Sequence, residues 1–331
     1  MDLRARILKH CQRGMPVCAT PYAAWARQLG TDEATLLATL GAMRAAGELT
    51  RVGPVFSPNR VGASCLAAFA VPPADIATAA ALVSAHPGVN HNYLREHHYN
   101  LWFVLHAPDP AARDAALAAL HRQVGHPLIR LPLLRAFHID LGFDLVTGTR
   151  WLADERDAPP ALALTPQQAA WLAAMQAGLP LVPRPYHAIC SHAGGAPAEL
   201  ERTLAAWLAA GVVKRVGAVV QHRALGFTAN AMLAFDVPDP AVEAAGQWLR
   251  AQAGVHLFYQ RQRDLPAWRY NLFCMVHGCA RAETEARVTA LCQAAPLAAY
   301  ASCVLFSTEA YKQTGAHNGW RAGDERRIHS A

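Results

Sequence analysis

The sequence is short of charge. Only 16% of its 331 residues are Asp, Glu, Lys or Arg, and 53% are hydrophobic. That balance excludes an intrinsically disordered chain, which needs high net charge and little apolar material. Cysteine occurs eight times, at Cys11, Cys18, Cys65, Cys190, Cys274, Cys279, Cys292 and Cys303. There is no CxxC pair, and no cysteine pair stands against a spaced histidine pair. A structural zinc site is therefore not expected, and no metal ligands are assigned. Several cysteines lie in apolar runs such as "SCLAAFAV", "LFCMV" and "ASCVLF". There cysteine acts as a small core residue, so reduced thiols in a cytoplasmic protein are expected. No uninterrupted apolar run reaches the roughly 18 residues of a transmembrane helix. The opening "MDLRARILKHCQRG" also lacks the apolar stretch of a signal peptide.

What the sequence has is histidine and repetition. Sixteen histidines accompany a formal net charge of +6, which suits an anionic partner. A chain of this length has room for about two domains, and an internal duplication supplies them. "QRGMPVCATPY" (Gln12 to Tyr22) answers "QAGLPLVPRPY" (Gln176 to Tyr186). Further on, "RVGPVF" answers "RVGAVV", "GVNHNYLR" answers "GVHLFYQR", and "YNLWFVLH" answers "YNLFCMVH" after a five-residue insertion. The period is too long for a solenoid, so each copy is a folded unit.

Each copy divides again. "TPYAAWARQLG" reads as a helix with Thr20 as N-cap and Pro21 at the first position. "TDEATLLATLGAMRAAGEL" reads as a helix capped by Thr31. Three helices followed by "TRVGPVF" resemble a winged helix-turn-helix. The rest of each copy alternates as βαββαβ, the ferredoxin-like order. The fold class is therefore α+β, a tandem duplication of a winged helix-turn-helix plus a ferredoxin-like domain, as in the Lrp/AsnC layout. The boundaries expected are 1–56 and 165–220 for the winged units, and 57–143 and 221–308 for the ferredoxin-like domains. A linker occupies 144–164 and a mobile tail 309–331.

That layout suggests a transcription factor, but charge opposes it. The third helix, Asp32 to Ala46, carries Asp32, Glu33 and Arg44. Its counterpart, Ala198 to Ala210, carries Glu199, Glu201 and Arg202. Recognition helices offer Arg, Lys, Asn or Gln to bases and phosphates, and these helices place carboxylates there instead. DNA is thus not the expected partner. A tetrapyrrole-responsive regulator of the Lrp/AsnC type stays open as the alternative function, and a tetrapyrrole chaperone as a third.

Attention then moves to the hairpins, where the copies differ. The first reads "HNYLREHHYN" and the second "LFYQRQRDLPAWRYN". Tyr93 matches Tyr259, Arg95 matches Arg261, and the histidines of the first become Arg263, Trp268 and Arg269 in the second. This difference points to one face supplying acid–base groups and another holding negative charge. A strand running straight from His91 puts His91, Tyr93 and Arg95 on one face by the period of two, with His97 continuing it. His98 falls on the other face. His106 and His277 match each other and are read as fold residues. Arg51 and Arg215 of the "RVG" motifs are read as bracing the wings.

"HNYLREHHYNLWF", "KRVGAVVQHRALGFTANAMLAFDVP" and "WRYNLFCMVHG" resemble the siroheme decarboxylases, a family derived from the leucine-responsive/AsnC regulators. The resemblance runs from Leu3 to Phe306 and follows the order of the fused two-part members. It implies a carboxy-lyase that removes the C12 and C18 acetate carboxyl groups of siroheme, giving 12,18-didecarboxysiroheme in heme d1 or alternative heme biosynthesis. It also implies His97, which matches the family's "RxHxYN" pattern, and His91 as catalytic groups. His222 in "QHRALGF" joins them as a second acid or an iron ligand. The chemistry of the residues agrees. Histidine titrates where a proton donor must, and the forked guanidinium suits carboxylates. Arg95, Arg261 and Arg263 are assigned to the substrate, with Tyr93 and Tyr259 beside them. No separate cofactor is required, because CO₂ is replaced by a proton and the substrate carries its own iron. No membrane contact is expected. The two copies are expected to pair as a pseudo-dimer within the chain, with further homo-oligomerisation open.

Overall fold

The computed structural model describes residues 2–10, 14–139, 162–227 and 229–315, without the side chains of Ile139, His222, Arg223 and His256. Most of the expected linker and residues 316–331 of the expected tail lie outside the described residues.

Each copy opens with three helices. In the first these are α1 (Leu3–His10), α2 (Pro21–Leu29) and α3 (Glu33–Ala45). Pro21 begins α2 as expected, although the Thr20 side chain makes no cap hydrogen bond. Asp32, not Thr31, caps α3: its carboxylate accepts the Thr35 N–H at 2.8 Å and the Thr35 hydroxyl at 2.6 Å. The charged acceptor suits the positive end of the helix better than a neutral hydroxyl.

The next strand, β1 (Leu49–Phe56), does not fold back on its own unit. In the second copy, α6 (Pro166–Met175), α7 (Pro185–Ala193) and α8 (Pro197–Ala209) lead to β6 (Val213–Val220). β1 and β6 pair antiparallel with Gly53 opposite Gly217, so the two strands read as separate wings form one shared ribbon. Pairing across the duplication satisfies backbone groups that a lone strand leaves open. Each copy also reaches onto the other's strand: Met15 N–H donates to Val216 O and Leu179 N–H to Val52 O, both at 2.6 Å. One buried cluster joins both helical units, with Trp25 and Leu40 from the first and Trp171 and Trp207 from the second.

The ferredoxin-like halves follow the expected order. The first has β2 (Ala63–Phe69), α4 (Ile76–Ala85), β3 (Val89–Arg95), β4 (Leu101–Ala107), α5 (Pro110–Val124) and β5 (Leu128–Ile139). The second has β7 (Ala229–Phe235), α9 (Val242–Ala251), β8 (Val255–Arg261), β9 (Leu272–Gly278), α10 (Arg281–Gln293) and β10 (Ser302–Gln313). β10 continues through Gln313, into the segment read as tail. The eight strands close into a barrel in the order β10-β3-β4-β2-β5-β8-β9-β7.

Closure depends on two long strands that change partner midway. In β5, Leu128 to Pro132 pair with β2, and Leu133 to Ile139 pair with β8 of the other half. In β10, Ser302 to Phe306 pair with β7, and Ser307 to Gln313 pair with β3. Pro132, which has no N–H to donate, sits at the switch, where an interrupted ladder tolerates it. The expected pseudo-dimer is thus a closed barrel with no free sheet edge.

β2 and β7 are buried along their whole length because both their faces are covered. Cys65, Ala67 and Phe69 pack against the helices of the first half. Ala231, Leu233 and Phe235 do the same in the second. The alternate residues, Leu66, Ala68, Met232 and Ala234, turn into the barrel, where they meet Trp102, Phe273 and Trp268. Trp268 comes from the insertion in the second hairpin and is 2% exposed. Its ring meets Trp102 at 5.1 Å, Tyr270 at 5.0 Å and His97 at 5.5 Å between centroids. No helix among the described residues is long and apolar enough to cross a membrane.

Candidate active site between the barrel and the ribbon

Aromatic side chains fill part of the barrel. The remaining interior, with the β1–β6 ribbon and the end of α6, encloses a cavity of about 400 Å³. An eight-stranded barrel has an interior of this kind, wide enough for side chains or one ligand.

β3 gives the cavity His91, Tyr93 and Arg95, the period-two face expected from the sequence. β8 gives Leu257, Tyr259 and Arg261 at the equivalent positions. The two arginines are held alike. The Arg95 guanidinium donates to Leu305 O at 2.8 Å and lies 5.6 Å from the Tyr93 ring centroid. The Arg261 guanidinium donates to Leu131 O at 2.9 Å and lies 4.6 Å from the Tyr259 ring. Leu305 and Leu131 belong to the two partner-switching strands, so barrel closure itself orients both arginines. Each Nε is buried and makes no hydrogen bond. Burial lowers both pKa values, that of Arg95 to about 10, which still leaves full charge near neutral pH.

His91 departs from this symmetry, since Leu257 occupies its place on the second wall. Its ring lies 6.0 Å from Tyr93, and its Nδ1 is buried without a hydrogen-bond partner. Burial, reinforced by the Arg95 charge, lowers its pKa to about 4. The imidazole is therefore neutral near pH 7, and a carboxylate placed beside it would favour its protonation.

Four residues read as structural also reach the cavity. His106 and His277 line it from β4 and β9, and Arg51 and Arg215 line it from the ribbon. The match of His106 with His277 suggests a fold role for them, and Arg51 and Arg215 are read as bracing the wings. The cavity lies between the two copies, so matched residues on its two walls can face one ligand. The one signal available in the sequence was the pairing of four basic residues in motifs shared by both copies.

Other expected site residues lie elsewhere. His97 is not among the residues lining the cavity. The hairpin turns before it, and its Nδ1 accepts the Tyr99 N–H at 3.0 Å while its ring edges Trp268. Arg263 is held outside the cavity by Asp239 at 2.7 Å, Val237 O at 2.7 Å and Asp236 at 3.2 Å. Its charge is already compensated. His222 begins a short 3₁₀ turn, His222–Leu225, and its side chain lies outside the described residues. His98 is exposed, as expected.

The electrostatics of the wall are one-sided. Among the described residues lining the cavity there are four arginines, three histidines and no aspartate or glutamate. Arg95 and Arg261, buried with their guanidinium groups on backbone carbonyls, are costly cations to bury unless an anion joins them. Apolar groups such as Leu66, Trp102, Val104, Met232 and Met275 occupy the rest of the surface. A flat, largely apolar polyanion matches both properties. Among the described residues, no group of three or more His, Cys, Asp or Glu is placed to hold a metal ion.

Comparison with known proteins agrees with this architecture. The AsnC-like ligand binding domain family matches residues 60–138 and 224–312, the two barrel halves. The siroheme decarboxylase NirDL-like HTH domain matches residues 4–49. The chain is 44% identical to the siroheme decarboxylase NirDL subunit of Paracoccus denitrificans over 95% of its own length and 97% of that protein. A crystal structure of the siroheme decarboxylase NirDL superposes with a TM-score of 0.71 at 27% identity, over 95% of this chain and 93% of the other. The same enzyme in complex with an iron-uroporphyrin III analogue gives a TM-score of 0.70 at 26% identity, with the same coverage. With its fold, its duplicated ligand-binding domain and nearly its full length shared, the chain belongs to the siroheme decarboxylase family.

Proposed function

We propose that this protein decarboxylates siroheme, removing the C12 and C18 acetate carboxyl groups to give 12,18-didecarboxysiroheme for heme d1 or alternative heme biosynthesis. The cavity wall of four arginines and no carboxylate supports this reading most directly. Siroheme carries a carboxylate on each of its acetate and propionate side chains, and its macrocycle is flat and apolar. The cytoplasmic setting expected from the sequence is supported by the free thiols of the described cysteines.

Arg95 and Arg261 bind carboxylates from opposite barrel walls and set the plane of the macrocycle. Tyr93 and Tyr259 hold those guanidinium groups and contribute apolar contact. In the reaction the bond between the acetate methylene and its carboxyl carbon breaks and CO₂ leaves. The electron pair stays on the methylene carbon and spreads into the macrocycle. A proton then converts that carbon to methyl. His91 supplies this proton. Burial and the Arg95 charge favour its neutral form, and it gains a proton when the polyanion offsets them. His106 and His277 stand on the wall as further donors. Since CO₂ is replaced by H⁺, no redox cofactor is required, and the iron is part of the substrate.

Anaerobic incubation with siroheme, followed by mass measurement of the tetrapyrrole, tests the reading. Loss of two CO₂ units is the expected result. Binding without mass loss would contradict it in favour of a carrier. Salt-dependent binding to promoter DNA without turnover would favour the regulator.

A further inference from the structure

The ribbon arginines are repeat-equivalent but differ in their contacts. Arg215 is 9% exposed, and its Nη1 donates to Ala218 O at 2.9 Å, within its own strand. Arg51 has Nε and Nη1 buried without a hydrogen-bond partner. Glycines surround it. A Cβ on Gly53 would lie 3.0 Å from Arg51 Nη1, and one on Gly315 would lie 2.8 Å from Arg51 Nε. A Cβ on Gly178, where φ is +105°, would lie 2.9 Å from Arg51 Cβ. The backbone thus leaves room for this guanidinium and gives it no acceptor at those two nitrogens. The pairing of Arg51 with Val219, Gly53 with Gly217 and Val55 with Arg215 places both arginines on one face of the ribbon. That face is turned to the cavity, since both arginines line it.

Among the described residues lining the cavity, the imidazoles belong to barrel strands: His91 to β3, His106 to β4 and His277 to β9. A reacting acetate must lie beside a proton donor, and the described ribbon residues that line the cavity include no histidine. We propose that Arg51 is a specificity-determining residue whose guanidinium binds a carboxylate of the macrocycle that does not react. The proposal rests on the siroheme reading above. It gives the helix-turn-helix portion a role in the chemistry, because its ribbon checks the macrocycle's side chains while the barrel performs the reaction.

The test compares Arg51→Gln with the unaltered protein by anaerobic absorbance titration with siroheme and, separately, with didecarboxysiroheme. Single-turnover rates are followed at saturating siroheme. Loss of a charged guanidinium contact should weaken both affinities by about tenfold or more. The rate from the bound state should stay within about threefold. Arg51→Lys, which keeps the charge without the planar guanidinium, should recover part of the affinity. Arg215→Gln should cost less than Arg51→Gln, because the Arg215 guanidinium is engaged by its own strand. An unchanged siroheme affinity in Arg51→Gln would overturn the proposal. A loss confined to siroheme would also overturn it, because Arg51 would then hold a reacting carboxylate. If Arg51→Gln unfolds by circular dichroism, the Arg51→Lys titration decides, and full affinity for both ligands there overturns the role of the guanidinium. Siroheme that binds the unaltered protein but keeps its mass contradicts the decarboxylase reading and leaves the Arg51 titration meaningful.

Discussion

The two hairpins are copies that now do different things. Both carry a tyrosine and an arginine on the cavity face, and both anchor the arginine on a carbonyl of a partner-switching strand. The first adds His91 where the second has Leu257. The second adds an insertion that places Trp268 among the aromatic side chains inside the barrel. The shared part places an arginine on each cavity wall and ties it to a strand that closes the barrel. Of the unshared parts, one adds an imidazole to the cavity and the other adds packing. On the proposed function, the two arginines are carboxylate sites and the imidazole is the proton donor.

Removing the addition from the second hairpin should give the largest effect. Trp268→Ala deletes a buried ring that contacts Trp102, Tyr270 and His97, and should cost about 3–5 kcal/mol, read by chemical denaturation. A loss below about 1 kcal/mol would mean that the insertion is not part of the core.

Breaking the shared part should give the next effect. Arg95→Ala and Arg261→Ala should each weaken siroheme binding by roughly 10- to 100-fold in an absorbance titration. Comparable losses on the two sides would support the symmetry. A loss on one side only would show that the macrocycle leans on a single wall.

The third prediction concerns pH. His91 takes up its proton near 6.5 when unfolded and at about 4 in the folded protein. Between those values the unfolded state holds the extra proton, so the folded state loses stability as pH falls from about 6.5 to about 4. His91→Leu should flatten that part of the profile, and thermal melts across the window would show it. An identical slope in the variant would mean that the imidazole is not buried as described.

His97→Ala should give the smallest effect. Its edge contact with Trp268 is worth about 1 kcal/mol in stability, and turnover should stay within about threefold, as for a substitution away from the site. A larger fall in turnover, with binding intact, would return the acid role to His97.

Much of the fold was legible because the duplication aligned motif by motif and the ferredoxin-like order followed from alternating patterns. The joins between copies were not legible. Nothing local in "LIRLPLLRAFHI" says that its second half pairs with β8, and nothing in "TRVGPVF" says that it pairs with "KRVGAVV". The period of two placed His91, Tyr93 and Arg95 on one face because the strand runs to Arg95. It misplaced His97 because the hairpin turns there and the alternation ends. His106 and His277 read as fold residues because symmetry between copies looks like fold, and Arg51 and Arg215 read as wing braces because the ribbon's contact with the barrel is not legible locally. In a cavity shared by both copies, symmetry is equally what a binding site shows.

The central claim is that the first hairpin's addition, His91, supplies the proton. Its most direct test is anaerobic single turnover of His91→Leu beside the unaltered protein, both saturated with siroheme as judged by absorbance. The account predicts didecarboxysiroheme from the unaltered protein and bound, unreacted siroheme in the variant, with the rate reduced by at least about 100-fold. Decarboxylation by the variant at the unaltered rate would contradict it.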